Sequence, residues 1–328
     1  SLGDKLSLIF SMIQGIYHMN KELLSWAKET LKSRDININS TNTVVSTPWS
    51  NVYCFHTHDG LYYLKRTSKD LFIEAKVFEK LNLYFPGDCP KLIAKNQELC
   101  CFITKGTGIP LRKYLQETFE LQYLFLGLEQ FIKLQFEAEP LLEDFLEIGV
   151  PDWRLNQFSN LYQNLLDDRE LLSGEGLNEQ EQQRLKELSS RLTQQCQALA
   201  ELNMPQTLVQ ADCHTNNMLF DVDTKKLSFV DLGELVISHP LFSIHNYLLQ
   251  AVRHHGIKEE VYEKLINICQ QYWPEFNKAY PLMKAIFPVY SALGCYRLMK
   301  SIDILDYYQF YNHRHQLGDS LREYLQNA

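Results

Sequence analysis

The sequence predicts an α+β chain of two lobes, a small β-rich lobe over residues 1–105 and a large, mainly helical lobe over 106–328. Three observations lead there. Short strand-like runs crowd into the first hundred positions around two helical segments. Long segments with apolar residues every three or four positions fill most of the rest. Among them sits one compact island of β character, Thr207 to Gly233.

Asn20 to Lys32 sets Leu23, Leu24, Ala27 and Leu31 at helical spacing. Thr41–Val45, Asn51–Thr57 and Leu61–Lys65 read as strands, the last two joined by a hairpin turn at Asp59-Gly60. A helix from Ser68 to about Leu83 puts Leu71, Ala75, Phe78 and Leu81 on one face, and Pro86 and Pro90 close it. Strands Lys91–Ala94 and Leu99–Thr104 follow, and Gly106 and Gly108 punctuate the passage to the second lobe. Leu111–Ala138, Leu155–Leu172, Asn178–Leu202 and most of the chain from Pro240 onward read as helix. Within the island, an apolar strand leads into a polar loop. Two strands, Met218–Asp221 and Leu227–Asp231, then flank an Asp-rich turn.

With 45% hydrophobic and 22% charged residues among 328, the chain is neither disordered, collagenous nor a small disulfide scaffold. A net charge of −8 argues against nucleic acid or an anionic membrane as partner. The apolar stretch Leu6–Tyr17 falls short of the ~20 residues a membrane span needs. Eight cysteines without a CxxC suit a reduced, cytoplasmic protein. The charge is unevenly spread: residues 1–105 carry 13 basic and 10 acidic side chains, the remainder 19 and 30. Six acids and no Lys or Arg lie between Leu134 and Trp153, which suggests attraction for a cationic small molecule, against the plainer reading of a solvated helix face.

The island holds Asp212, Asn217 five residues on, and Asp231 at the end of the next strand. Magnesium takes hard oxygen ligands, commonly one or two carboxylates plus substrate phosphates. Asn217 and Asp231 can supply the protein side of such a shell and leave Asp212 to face an attacking group. Phosphoryl transfer needs this division, because its catalysis is mostly positioning and charge neutralisation.

These residues resemble the aminoglycoside phosphotransferase and choline kinase-like family, relatives of the protein kinases, whose loop HGDxHxxN precedes a strand ending in Asp. Asp212, His214, Asn217 and Asp231 match, whereas Gln210-Ala211 replaces His-Gly and His239 replaces the acid of a frequent Asp-Pro. Lys65, ending a strand after a hairpin, matches the family's nucleotide-binding lysine. Glu74 on the next helix is its partner, with Glu79 the rival. Cys101–Leu111 resembles the interlobe hinge, so backbone groups near Thr104 and Gly106 would bind adenine. Gly149–Leu155 is similar to a segment of some bacterial members.

The resemblance implies a protein-kinase-like fold and an enzyme that uses ATP and Mg²⁺ to phosphorylate a hydroxyl of a small molecule such as an aminoglycoside, choline or a sugar. Asp212 would be the catalytic residue, Asn217 and Asp231 the metal ligands. With only Gly3, Gly15, Gly60 and Gly87 before Ile103, there is no Walker A loop and no GxGxxG. The turn Pro48–Asn51 must therefore cover the phosphates, through backbone N–H groups and the Ser50 or Asn51 side chains. The altered Gln210-Ala211 keeps a second reading open, a catalytically silent nucleotide-binding or scaffold protein. The aromatic run Tyr307–Tyr311 either lines an acceptor pocket or packs as core.

Overall fold

The computed structural model describes residues 21–327, so Leu6–Tyr17 and Asn20 lie outside the described residues. The first helix, α1 (21–32), buries Leu23, Ala27 and Leu31 one turn apart. Five antiparallel strands follow in the spatial order β1-β2-β3-β5-β4: β1 (Ile38–Ser46), β2 (Ser50–Thr57), β3 (Gly60–Thr67), β4 (Leu92–Asn96) and β5 (Cys101–Lys105). The β2–β3 hairpin pairs Thr57 with Gly60, so its two-residue loop is His58-Asp59, one position earlier than predicted. Gly60 serves as the first strand residue at φ +106°, which favours glycine.

Alternation along β5 assigns the sheet's two faces. Cys101 and Ile103 join Phe55, Leu64 and α1 in one small core. Phe102 points the other way, to α2 (Ile73–Tyr84), whose Ala75, Phe78 and Leu81 belong to a core continuous with the second lobe. The small lobe is thus a sheet between two helices, and α2 ties it to the rest of the chain.

Beyond β5, the two-residue strand β6 (Ile109–Pro110) pairs not with that sheet but with the island, through β8 (Met218–Phe220) and on to β9 (Leu227–Phe229). Gly108 makes this possible, since a Cβ there would meet the Phe220 carbonyl oxygen at 2.2 Å. A second short pair joins β7 (Thr207–Val209) to β10 (Val236–Ser238).

The predicted long helices are broken. Leu111–Ala138 divides into α3 (Leu111–Thr118) and α4 (Gln122–Ala138) because Phe119 turns left-handed, at φ +57°. After α5 (Leu142–Glu147), Leu155–Leu172 divides into α6 (Phe158–Asp167) and α7 (Arg169–Gly174), where the Asp168 side chain accepts from Leu171 N–H. Asn178–Leu202 divides into α8 (Glu179–Glu187), opened by a capping box of Asn178 and Glu181, and α9 (Ser189–Ala200). Five helices complete the lobe: α10 (Leu241–His255), α11 (Glu259–Tyr272), α12 (Phe276–Lys300), α13 (Ile304–Phe310) and α14 (Gln316–Asn327). Among the described residues no helix is long and apolar enough to cross a membrane.

Candidate active site

β3 carries Lys65 to the cleft between the sheet and the island. Its Nζ lies 2.7 Å from Glu74 Oε2 and 2.5 Å from Asp231 Oδ1, so one ammonium joins a strand, a helix and the end of the island. Glu74 is 1% exposed, and its Oε1 accepts the Leu232 backbone N–H at 3.0 Å. The rival Glu79 faces outward to Lys95. Burial would lower the lysine pKa, but the Asp231 and Glu74 charges reverse that and raise it. The same ammonium holds Asp231 below the ordinary carboxylate range.

The polar loop after β7 brings the other predicted residues together. Asn217 donates its amide to the Asp212 backbone carbonyl at 3.0 Å and to Asp212 Oδ2 at 3.3 Å. His214 Nε2 lies 3.0 Å from Asp212 Oδ1. The Asn217 carbonyl accepts the Val230 N–H, which sets the loop beside the strand that delivers Asp231. With its amide nitrogen committed, Asn217 offers its amide oxygen to a cation. Asp231, its side chain 54% exposed, offers carboxylate oxygens. Both are the hard donors Mg²⁺ requires, and substrate phosphates would complete the shell. Asp231 reaches this position by turning left-handed, at φ +61°.

Gln210 replaces the expected histidine without loosening the loop. Its Nε2 donates to the Val230 and Asp231 carbonyls, each at 3.0 Å, and its backbone N–H and C=O both bond the buried Ser243 hydroxyl. Gln210 therefore fixes the very backbone that aims Asp231. His239 is fully enclosed; burial pushes its imidazole down to about 3, and its Nδ1 lies 3.4 Å from the Leu241 N–H.

The phosphate-covering turn differs from expectation. Ser50 is buried, its N–H donates to Thr47 Oγ1 at 3.0 Å, and the Asn51 amide donates to Ser46 Oγ. Pro48 has no N–H, so the turn has few donors for a phosphate. Its prominent group is the Trp49 indole, stacked on Tyr311 at 5.8 Å and edge-on to Phe310 at 4.8 Å. The turn is thereby fastened to the end of α13, across the lobes. At the hinge Thr104 is buried within β5, and the Gly106 N–H is already given to Leu61 O at 2.8 Å.

Sequence reasoning also missed Glu234, which burial, then Asp231 and Asp212, push up to about 7. Arg297, bonded to the Gly233 and Leu235 carbonyls, braces the same segment. Tyr307 packs as core, whereas Tyr311 reaches the neighbourhood of Glu234 and Asp212. Of the six acids between Leu134 and Trp153, two are engaged by neighbouring side chains. Asp144 bonds Tyr84 on α2, and Asp152 is paired with Arg154 beside β10.

This two-lobed arrangement, with a lysine–glutamate pair facing an Asp–Asn–Asp loop, is the protein-kinase-like fold that the sequence implied. Residues 135–282 match the model of the ecdysteroid kinase-like family. Among solved structures, a macrolide 2'-phosphotransferase from Brachybacterium faecium aligns over 89% of this chain and 96% of its own, with a TM-score of 0.55 at 12% identity. The GDP complex of aminoglycoside 2'-phosphotransferase-IIIa aligns over 92% and 99%, with a TM-score of 0.57 at 15% identity. The ethanolamine kinase of Plasmodium vivax aligns over 88% and 84%, with a TM-score of 0.53 at 12% identity. No curated protein sequence matches the chain.

Proposed function

We propose that the protein transfers the γ-phosphoryl group of ATP, with Mg²⁺, to a hydroxyl of a small molecule in a reduced, cytoplasmic setting. In this reading residues 1–105 hold the nucleotide and 106–328 supply catalysis and the acceptor site. The carrying observation is Lys65 held between Glu74 and Asp231 while Asn217 fixes Asp212 alongside. Lys65 would bind the α- and β-phosphates, oriented by Glu74. Asp212 would align the acceptor hydroxyl and accept its proton, with His214 and Asn217 restricting its carboxylate. Asn217 and Asp231 would hold Mg²⁺, which neutralises phosphate charge when bound. Because the Gly106 N–H is engaged, the base would be read at the hinge carbonyls. The GDP bound by the aminoglycoside enzyme supports a nucleotide in the cleft, and ATP and GTP should be compared directly.

Nucleotide consumption across a panel of hydroxylated acceptors, with the Asp212→Ala variant as control, tests this reading. Turnover should be abolished in the variant while nucleotide affinity stays nearly unchanged. Full activity in Asp212→Ala would refute the assignment, and Asp231→Ala should instead weaken Mg²⁺-dependent nucleotide binding.

A further inference from the structure

Around the turn Thr215–Asn217, which follows Asp212 in the loop, the chain gathers cationic side chains. Arg112 stands in the first turn of α3, and Arg253, His254 and His255 form the last turn of α10. These two helices and the turn Thr215–Asn217 pack on one another, and Thr215 Oγ1 lies 2.9 Å from His255 Nε2. Basic residues at the end of α10 suit its dipole and require no ligand. Arg112 is the opposite case: it sits at a helix start, where positive charge is disfavoured, and no acid shares that first turn.

The guanidinium of Arg112 is also only partly satisfied. Its Nε and Nη2 are shut off from solvent and have no hydrogen-bond partner among the described residues. A buried donor without a partner is costly, and a guanidinium presents its donors as a planar fork that fits a carboxylate or phosphate. Burial lowers the Arg112 pKa, Asp212 opposes that, and Arg253 adds to it. Lys65, by contrast, answers to Asp231 and Glu74. Burial and Arg112 lower both histidines, His255 to about 4, so at neutral pH they are uncharged hydrogen-bonding groups and the positive charge rests on the two arginines.

We propose that Arg112, backed by Arg253, His254 and His255, binds an anionic group carried by the acceptor, a carboxylate or a phosphate ester, so that Asp212 acts on anionic hydroxy compounds. The inference rests on Asp212 facing the acceptor, and it replaces the cationic acceptor suggested by the acidic stretch.

Calorimetric titration of inorganic phosphate and of malonate into the full chain, with and without saturating Mg²⁺ and a non-hydrolysable ATP analogue, tests it. At least one anion should bind saturably and keep its affinity when the analogue is bound. Phosphate alone would indicate a phosphorylated acceptor, malonate a carboxylated one. Arg112→Gln should weaken binding by about tenfold or more, as expected for loss of a bidentate charge-assisted contact. The exposed Arg253→Gln should weaken it by a few-fold, and this second variant decides the matter if Arg112→Gln does not fold. Analogue affinity should be unchanged in both. No saturable anion binding by the native chain, or equal binding by the variants, overturns the proposal. Competition between anion and analogue, with Arg112→Gln losing analogue affinity, would give Arg112 to the nucleotide and overturn it too. If the native chain binds no analogue, the phosphotransferase reading fails, while titration of the nucleotide-free chain still decides the anion site.

Discussion

Lys65 holds two carboxylates at once, and they differ in what they lose without it. Asp231 is half-exposed and can be solvated, whereas Glu74 is 1% exposed and would keep only the Leu232 N–H. Lys65→Met should therefore destabilise the fold by about 3 kcal/mol, the lower end for a broken buried pair, because one partner is open to water. Urea unfolding at neutral pH measures this, and Lys65→Met combined with Glu74→Gln should recover part of the loss. Gln210→Ala leaves the Val230 and Asp231 carbonyls without their side-chain donor, at a cost of about 1–3 kcal/mol. Turnover should fall with it, since those carbonyls position the proposed metal ligand. That the loop of Asp212 and Asn217 lies beside the strand leading to Asp231 was legible because the spacing along one loop and one strand is local. Gln210 was not, because its partners lie twenty residues away, and the proposed role of Arg112 was not, because buried guanidinium donors without a partner leave no pattern in a sequence.

Strands and helices were legible wherever periodicity carried the signal, but none of the interruptions within the long helices was read, although two polar caps stand in the sequence. Asp168 and Asn178 are such caps, and both mark real helix starts. The break after Thr118 falls on Phe119, a residue that ordinarily avoids a left-handed backbone, so nothing in the sequence marks it. Contacts between elements were the least legible. The turn after β1 looked like a phosphate cover, yet its Ser50 N–H is given to Thr47, and it is fastened by Trp49 to Phe310 and Tyr311. Trp49→Ala should lower stability by about 1 kcal/mol for the aromatic pairing, in addition to the lost burial, and should weaken nucleotide binding by freeing the turn. Calorimetric titration of the ATP analogue checks the second effect, and unchanged affinity would show that the clasp does not serve the nucleotide site. Gly108→Ala, which forces a Cβ against the Phe220 carbonyl, should cost about 2 kcal/mol. Faster hydrogen exchange across β6 and β8 would locate the damage.

At the scale of the molecule, the two-lobed class followed from where strand and helix periodicity change over. The way α2 joins the small lobe to the main core followed only from packing. The balance of buried titrating groups is likewise a property of the whole. Burial pushes the imidazoles of His239 and His245 down to about 3 and about 4, and His245 keeps Tyr280 as its 2.8 Å partner. In the unfolded chain each takes up a proton near pH 6.5, so below that pH the unfolded state binds protons the folded state refuses, and stability falls with pH. Glu234, raised to about 7, acts in the other direction: its contribution is present in full below its unfolded pKa near 4.5 and is lost as pH rises through 7. That contribution is reduced by its half-open position in the cleft. Because these groups oppose one another, the native slope alone does not identify any of them, but a difference does. His245→Gln removes most of one proton from the acid side, so between pH 6 and 4.5 its stability should fall less steeply than the native chain's, by ~1 kcal/mol per pH unit. Urea unfolding of both chains at several pH values across that window reads the difference directly, and parallel slopes would mean that His245 is protonated in the folded state.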